Sequence, residues 1–216
     1  MLSLSCIKYA ESVLDEDLIF ADGMPKKPQP IAFAVYLLQA EGRNILVDAG
    51  CDTMPGFVMQ DFRSPAEILS ELGVSADAVT DVIITHAHHD HIEAVPHFRN
   101  AVLYITGEEY ADGKKYIPAQ MEVHIVPDVY EILPGVRIVK IGGHAAGSAV
   151  VEIEDGETVH VLAGDECYVN DCILQRRPTG ASYSPDKSRA FIEKYSNAKY
   201  HVYTCHDISL KTAKIL

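Results

Sequence analysis

The 216-residue sequence carries 18 basic and 31 acidic side chains, which give a formal net charge of −13. That balance argues against a nucleic-acid binder, which needs clustered Lys and Arg to neutralise phosphates, and against attachment to anionic lipid. A hydrophobic content of 48% excludes general disorder, and no apolar run approaches the roughly 20 residues that span a bilayer. We therefore expect one globular domain over residues 1–216.

In chain order, the N-terminal half combines apolar strand patterns with one helix. Strands are predicted at residues 4–9, 31–39, 44–48, 81–85 and 102–105. Residues 31–39 and 44–48 form a predicted hairpin, and the proline-rich segment before it is expected to be an irregular loop. A helix is predicted to begin at Pro65 with Ser64 as its capping residue, and Gly73 marks its end.

The C-terminal half continues with closely spaced strands. They are predicted at residues 122–126, 130–133, 136–141, 148–153, 158–163 and 200–204. A second helix is predicted to begin at Ser184 and Pro185, and a short helix is expected after Asp207. Because strands outnumber helices and follow one another directly, we expect an α+β fold of two mixed β-sheets with helices on the outer faces.

The most informative motif directly follows the strand predicted at residues 81–85. It reads His86-Ala87-His88-His89-Asp90-His91 and places four histidines within six residues. From the end of a strand these side chains can converge, and imidazole and carboxylate ligands suit Zn²⁺, with Fe or Mn as substitutes. The alternative is a histidine-rich surface turn, but further candidate ligands at other strand ends favour a metal site.

Those further candidates are His144, Asp165 and His206, each of which follows an apolar run. With the histidine motif and the strand-end Asp48, they give the sequence a resemblance to the metallo-β-lactamase superfamily over nearly the whole chain. The resemblance implies a four-layer αβ/βα sandwich that holds two Zn²⁺ ions. It implies one metal site of His86, His88 and His144, a second of Asp90, His91 and His206, and Asp165 as the ligand that bridges them.

Tyr168 narrows the resemblance to one branch of that superfamily. N-acyl homoserine lactonases carry a tyrosine three residues after the bridging aspartate, where its phenol lies near the substrate carbonyl, and Tyr168 has this spacing from Asp165. The alternative is an amphipathic tyrosine in the core. The chain departs from the family pattern after His91, where Ile92-Glu93-Ala94 replace small residues, and again after His144. These departures leave the contacts to the substrate open.

We also assign expected roles to Asp48, His89 and three cysteines that lie near the motifs. Asp48 is predicted to orient a ligand imidazole, the alternative being a turn residue before a glycine. His89 is expected at the rim of the site. Cys167, Cys172 and Cys205 flank the site and are interpreted as ordinary buried thiols, the alternative being a sulfur ligand or a redox role.

The resemblance, together with the absence of a G-x-S-x-G nucleophile motif, indicates a hydrolase whose nucleophile comes from water. We expect a metal-bound hydroxide to attack the carbonyl of a small ester, while Asp90 accepts a proton and Tyr168 stabilises the oxyanion. The expected substrate is a lactone of the N-acyl homoserine type. A glyoxalase-II-like thioester hydrolase is the nearest alternative. A phosphodiesterase and a non-catalytic metal-binding module are weaker ones.

The cysteine pattern and the chain start bear on the cellular setting. Five scattered cysteines without a C-x-x-C pair, and a start without a basic segment followed by an apolar one, predict a cytoplasmic enzyme with reduced thiols. The expected partner is a small-molecule ester or thioester, with no nucleic acid and no membrane. The sequence leaves the oligomeric state open.

Overall fold

The computed structural model describes residues 2–216 and contains two β-sheets with helices packed around them. The strands are β1 (Ser3–Asp15), β2 (Pro28–Ala40), β3 (Arg43–Val47), β4 (Asp81–Ile83), β5 (Val102–Thr106), β6 (Val123–Val126), β7 (Val129–Leu133), β8 (Val136–Lys140), β9 (Ala149–Asp155), β10 (Thr158–Leu162), β11 (Tyr200–Tyr203) and β12 (Ala213–Lys214). The α-helices are α1 (Glu16–Ile19), α2 (Pro65–Glu71), α3 (His89–Ile92), α4 (Gly107–Gly113), α5 (Asn170–Leu174) and α6 (Pro185–Tyr195). Within residues 2–216, no helix combines the length and the apolar character needed to cross a membrane.

The order of the strands brings several strand ends to one edge of the molecule. The first sheet has the order β12-β1-β2-β3-β4-β5-β6 and the second has the order β11-β10-β9-β8-β7. β3 and β4 are parallel neighbours, as are β10 and β11, so the carboxyl ends of each pair lie side by side. The segments that leave these four ends carry Asp48, the histidine motif, Asp165 and His206.

Alternating side chains along the strands divide between two apolar clusters. Ile45 and Val47 of β3 belong to a cluster whose buried members all lie on strands of the two sheets, whereas Leu46 belongs to one that includes helix residues such as Leu69 of α2 and Phe191 of α6. One cluster therefore lies between the sheets, and helices cover the opposite faces. Each fully buried Leu or Phe contributes about 1.5–3 kcal/mol to this packing. The expected fold of two mixed sheets with outer helices is confirmed.

The end of the chain corrects the prediction of a short helix after Asp207. Ala213 and Lys214 instead form β12, which pairs with Cys6 and Ser5 of β1. Without this pairing, β1 would expose the backbone donors and acceptors of a sheet edge. A two-residue strand has no periodicity of its own, so the pairing depends on the position of β1.

The segments before β2 and the two predicted helix starts also differ in detail from expectation. β2 begins at Pro28, inside the segment predicted to be a loop. Its prolines pair only with β1, because β3 joins β2 only from Tyr36 onwards. Proline is tolerated there because this part of β2 has a neighbouring strand on one side only. α2 and α6 begin at the expected prolines, but neither Ser64 nor Ser184 caps its helix through the side chain. At α2 the carbonyl oxygen of Ser64 accepts the first amide hydrogen bonds. The short helices α1, α4 and α5 were not predicted, since they are too short to show periodicity and, unlike α2, lack a Ser-Pro start.

Candidate metal centre

The histidine motif turns from the end of β4 into α3, and this turn decides where each ring points. His86 and His88 have ring centroids 4.6 Å apart, and those of His86 and His91 are 4.0 Å apart. His89 begins α3 and points elsewhere, because its Nδ1 lies 3.0 Å from the hydroxyl of Tyr116. The motif thus gathers three imidazoles in one place and directs the fourth away.

The first cluster consists of His86, His88, His144 and Asp165, whose ligand atoms all lie within 4.8 Å of one another. His144 arrives on the segment between β8 and β9. Its Nε2 lies 2.9 Å from Nδ1 of His88, which is in turn 3.0 Å from Nε2 of His86. His86 and His144 are buried, whereas His88 is only partly shielded from solvent, so the cluster is accessible through His88.

The second cluster consists of His91, Asp165, Cys205 and His206, whose ligand atoms also lie within 4.8 Å of one another. Asp90 lies beside it, with Oδ2 at 3.7 Å from Nε2 of His91 and 3.5 Å from Nε2 of His206. Cys205 donates its thiol hydrogen to Oδ1 of Asp165 at 3.2 Å. All four residues of the second cluster are buried.

Asp165 belongs to both clusters, and its two carboxylate oxygens face different sets of histidines. Oδ2 lies 3.6 Å from Nε2 of His86 and 3.5 Å from Nε2 of His144. Oδ1 lies 3.1 Å from Nε2 of His91 and 3.1 Å from Nε2 of His206. One side chain therefore spans the two clusters from the end of β10.

Unsatisfied polar atoms in the second cluster fit a bound cation. Nε2 of His91 and Nε2 of His206 are buried, and although each lies 3.1 Å from Oδ1 of Asp165, neither forms a hydrogen bond of good geometry within residues 2–216. Leaving such an atom without a partner costs about 1–3 kcal/mol. The described residues also supply no Lys or Arg to pair with the buried Asp90 and Asp165, whose ion-pair partners are all histidines. Buried carboxylates and orphaned imidazole nitrogens together make a donor set for divalent transition metals.

The histidines of the two clusters have pKa values that are shifted in opposite directions by burial and by nearby charges. Burial, with nearby imidazoles, holds the pKa of His86 well below its usual range, and burial also lowers the pKa of His88 and of His144. The first cluster therefore favours neutral imidazoles, which is the form that binds metal.

The carboxylates reverse this effect in the second cluster. Burial alone would lower the pKa of His91 and His206, but Asp165 and Asp90 outweigh it, raising the pKa of His206 and lifting that of His91 well above its usual range. Burial would raise the pKa of Asp165, yet its histidine neighbours hold it well below the usual value. The negative charge is thus concentrated where the second cluster has its orphaned nitrogens.

Asp48 contacts the ring of His91 at Nδ1, the ring nitrogen that does not face the cluster. Its Oδ2 lies 2.8 Å from Nδ1 of His91, and the backbone and hydroxyl of Thr85 donate hydrogen bonds to its two oxygens at 2.8 and 2.9 Å. Asp48 adopts the left-handed backbone conformation with φ of 61°, which aspartate and asparagine tolerate better than most residues. The contact leaves Nε2 of His91 facing the cluster.

Tyr168 lies against both clusters and lines a small cavity next to them. Its ring stacks on His206 at a centroid distance of 5.2 Å and meets His144 edge-on at 5.7 Å. The cavity has a volume of about 120 Å³, and its walls are formed by Leu14, Ile31, Phe33, Met54, Phe57, His88, Asp90, Asp165, Tyr168 and His206. Burial and the carboxylate of Asp165 raise the pKa of Tyr168 well above its usual value, so the phenol remains a hydrogen-bond donor.

Two further polar residues touch the site. The thiol of Cys205, for which a role in the site is the alternative to an ordinary buried thiol, contacts Asp165. Sequence reasoning missed Glu166 altogether. Glu166 is buried, and its Oε1 accepts hydrogen bonds from the backbone N–H groups of Gly143 and His144 at 2.9 and 3.1 Å. The only indication in the sequence that Glu166 lies near the site is its position directly after Asp165.

Comparison with known proteins agrees with this geometry. The sequence pattern of the metallo-beta-lactamase superfamily matches residues 34–205, which is most of the chain. The chain therefore belongs to the metallo-β-lactamase superfamily.

Several of the relatives are named N-acyl homoserine lactonases. N-acyl homoserine lactonase AiiB of Agrobacterium fabrum is 25% identical, over 87% of this chain and 81% of its own length. N-acyl homoserine lactonase AiiA of Bacillus thuringiensis subsp. kurstaki is 24% identical, over 91% of this chain and 89% of its own. A crystal structure of N-acyl homoserine lactone hydrolase with N-hexanoyl-L-homoserine at its catalytic metal centre superposes with a TM-score of 0.83, at 22% identity, covering 99% of this chain and 98% of that one. At that identity, the structural likeness shows the shared fold.

Proposed function

We propose that the protein is a dinuclear metal-dependent hydrolase that opens a small lactone of the N-acyl homoserine type. The observation that carries the proposal is the pair of clusters that share Asp165 beside a cavity lined by Tyr168. The lactonase names of AiiB and AiiA support the choice of substrate class.

We assign the residues of the two clusters as follows. His86, His88 and His144 would hold one ion, Asp90, His91 and His206 would hold the other, and Asp165 would be a ligand to both. When bound, two Zn²⁺ ions, or Fe or Mn in their place, would supply a Lewis acid and make water a nucleophile near neutral pH. Cys205 supports the bridge through its hydrogen bond to Asp165.

The remaining groups bind the substrate and transfer the proton that the attacking water releases. Phe33, Met54 and Phe57 give the cavity an apolar wall that excludes water around the ester. Tyr168, held as a neutral phenol, donates a hydrogen bond to the carbonyl oxygen where negative charge develops. Asp90 lines the same cavity and accepts the proton that is later passed to the leaving oxygen.

We also propose that residues 1–216 act as one domain in the cytoplasm, with the small ester as partner and neither nucleic acid nor membrane. The five cysteines are all free and buried, which fits a reducing compartment. The net charge of −13 disfavours polyanionic partners.

A hydrolysis panel tests the proposed reaction. Zinc-loaded protein is incubated with N-hexanoyl homoserine lactone, S-lactoylglutathione and bis-p-nitrophenyl phosphate, and the same protein treated with a chelator serves as the control. We expect the lactone to be hydrolysed fastest and chelation to abolish turnover, with recovery when Zn²⁺ is restored. Faster cleavage of the thioester or phosphodiester would replace the lactone assignment, and turnover that survives complete metal removal would contradict the metal-dependent mechanism.

Replacing Asp48 tests how the second ion is held. In wild type, Thr85 and His91 donate to the two carboxylate oxygens of Asp48. In Asp48→Asn an amide N–H group replaces one of these oxygens and repels the donors, so we expect His91 to lose its orientation. Changes of this kind weaken metal binding by about tenfold, which competition with a chromophoric chelator measures. The matched control is Asp52→Asn, because Asp52 makes a similar 2.6 Å contact to His97 on the surface. Equal affinities for Asp48→Asn and wild type would contradict the orienting role.

A further inference from the structure

Glu109 is a buried carboxylate that touches both segments bearing the histidines of the first cluster. It lies on α4 and is only 2% exposed. Its Oε2 accepts the backbone N–H of Ala87 at 2.7 Å, and its Oε1 accepts the backbone N–H of Gly147 at 2.8 Å. Ala87 lies between His86 and His88, so Glu109 contacts the middle of the histidine turn.

The second contact reaches the segment that carries His144. Gly147 is anchored there twice, because the hydroxyl of Thr106 donates to its carbonyl oxygen at 2.8 Å. A Cβ at Gly147 would lie 2.4 Å from Oγ1 of Thr106 and 3.1 Å from Cγ of Glu109, so only glycine allows this close approach. Thr106 and Glu109 together hold the His144 segment against the start of α4.

The carboxylate of Glu109 has no balancing cation. Within residues 2–216 it forms no ion pair with Lys or Arg, and the two backbone amides are its hydrogen-bond donors. Burying a carboxylate in this way is costly. A neutral side chain such as glutamine would avoid this cost. It has only one acceptor oxygen, however, whereas the carboxylate accepts from the amides of Ala87 and Gly147 at the same time.

We propose that Glu109 is a positioning residue that sets the separation between the His86-His88 turn and His144, and so supports the first metal site selectively. The proposal rests on the dinuclear centre proposed above. The second cluster is held by other groups: Asp48 contacts His91, and the backbone oxygen of Ala32 lies 2.8 Å from Nδ1 of His206. Loss of Glu109 therefore loosens one site and leaves the supports of the other in place.

The His144 segment keeps a second anchor when Glu109 is changed. Glu166 holds Gly143 and His144 through their amides, on the other side of the same segment. We therefore expect the segment to shift relative to His88 without losing its fold. The expected effect is a loss of affinity of about tenfold at the first site, in the range seen when a group behind a ligand is removed.

The test compares Glu109→Gln and Glu109→Ala with wild type. Glu109→Gln keeps the size of the side chain and only one acceptor oxygen, while Glu109→Ala removes both. The control is Glu108→Gln, because Glu108 neighbours Glu109 but pairs with Lys140 on the surface. Metal-free protein is titrated with Co²⁺, and the absorption spectrum and chelator competition give an affinity for each ion; the melting temperature of the metal-free protein is recorded alongside.

We expect the affinity for one ion to fall by about tenfold, more in Glu109→Ala than in Glu109→Gln, while the other ion and the Glu108→Gln control stay at the wild-type value. Equal weakening of both ions, or a lower melting temperature with unchanged affinities, would show a merely structural role and overturn the inference. If Glu109→Ala does not fold, Glu109→Gln decides the result. Wild-type protein that binds no Co²⁺ would overturn the proposed centre itself, which separates that failure from the failure of the Glu109 inference.

Discussion

Asp165→Ala is expected to cost the protein both metal ions and essentially all turnover. Its two oxygens lie 3.1–3.6 Å from four histidine nitrogens, so one substitution removes a ligand from each cluster. It also removes the negative charge that offsets the mutual repulsion of two cations. Breaking a buried charge pair costs about 3–5 kcal/mol, which corresponds to a loss of affinity of roughly 10²–10³-fold or more for each ion. Metal content after dialysis and turnover on the lactone measure the effect.

The control for Asp165→Ala is His89→Ala, which lies inside the histidine motif but outside both clusters. His89 contacts Tyr116 and is predicted to bind neither ion. We expect His89→Ala to keep both metals. Equal metal loss in the two variants would mean that the motif presents its side chains differently from the arrangement described.

Tyr168→Phe is expected to keep both metals and lower kcat by about tenfold to a hundredfold. Removing an oxyanion donor typically costs about 10²–10³ in rate, and the loss is smaller where a Lewis acid acts on the same oxygen. The ring itself remains, so its stacking on His206 and its contact with His144 are preserved. kcat, metal content and melting temperature are measured on the variant and on wild type.

The same three readouts distinguish the catalytic role of Tyr168 from a structural one. If the hydroxyl only stabilises the core, its loss costs about 1 kcal/mol of stability and leaves turnover unchanged. A variant that melts earlier but hydrolyses the lactone at the wild-type rate would contradict the catalytic role of Tyr168. The proposed lactonase would then stand without an assigned oxyanion donor.

The parts of the fold that follow from local pattern were predictable from the sequence. The hairpin of β2 and β3, the strand before His86 and the helix starts at Pro65 and Pro185 each depend on neighbouring residues alone. The candidate ligands were predictable for a related reason. Each of them follows a strand, and parallel neighbouring strands end at the same edge of a sheet.

What escaped prediction depends on contacts between distant parts of the chain. Glu109 reaches Ala87 and Gly147 across 22 and 38 residues from a helix too short to show periodicity. The thiol of Cys205 meets Asp165 across 40 residues; its place directly before His206 puts it near the site but does not reveal this contact. β12 depends on pairing with Ser5 and Cys6 of β1, at the opposite end of the sequence. Such contacts follow from the packed fold and have no local sequence signal.

Metal stoichiometry tests the central claim most directly. Purified wild-type protein is stripped with a chelator, incubated with Zn²⁺ or Mn²⁺, passed through a desalting column and analysed by inductively coupled plasma mass spectrometry. The two clusters that share Asp165 predict two ions per chain. A folded protein that retains no metal after this loading would contradict the dinuclear centre and every function proposed from it.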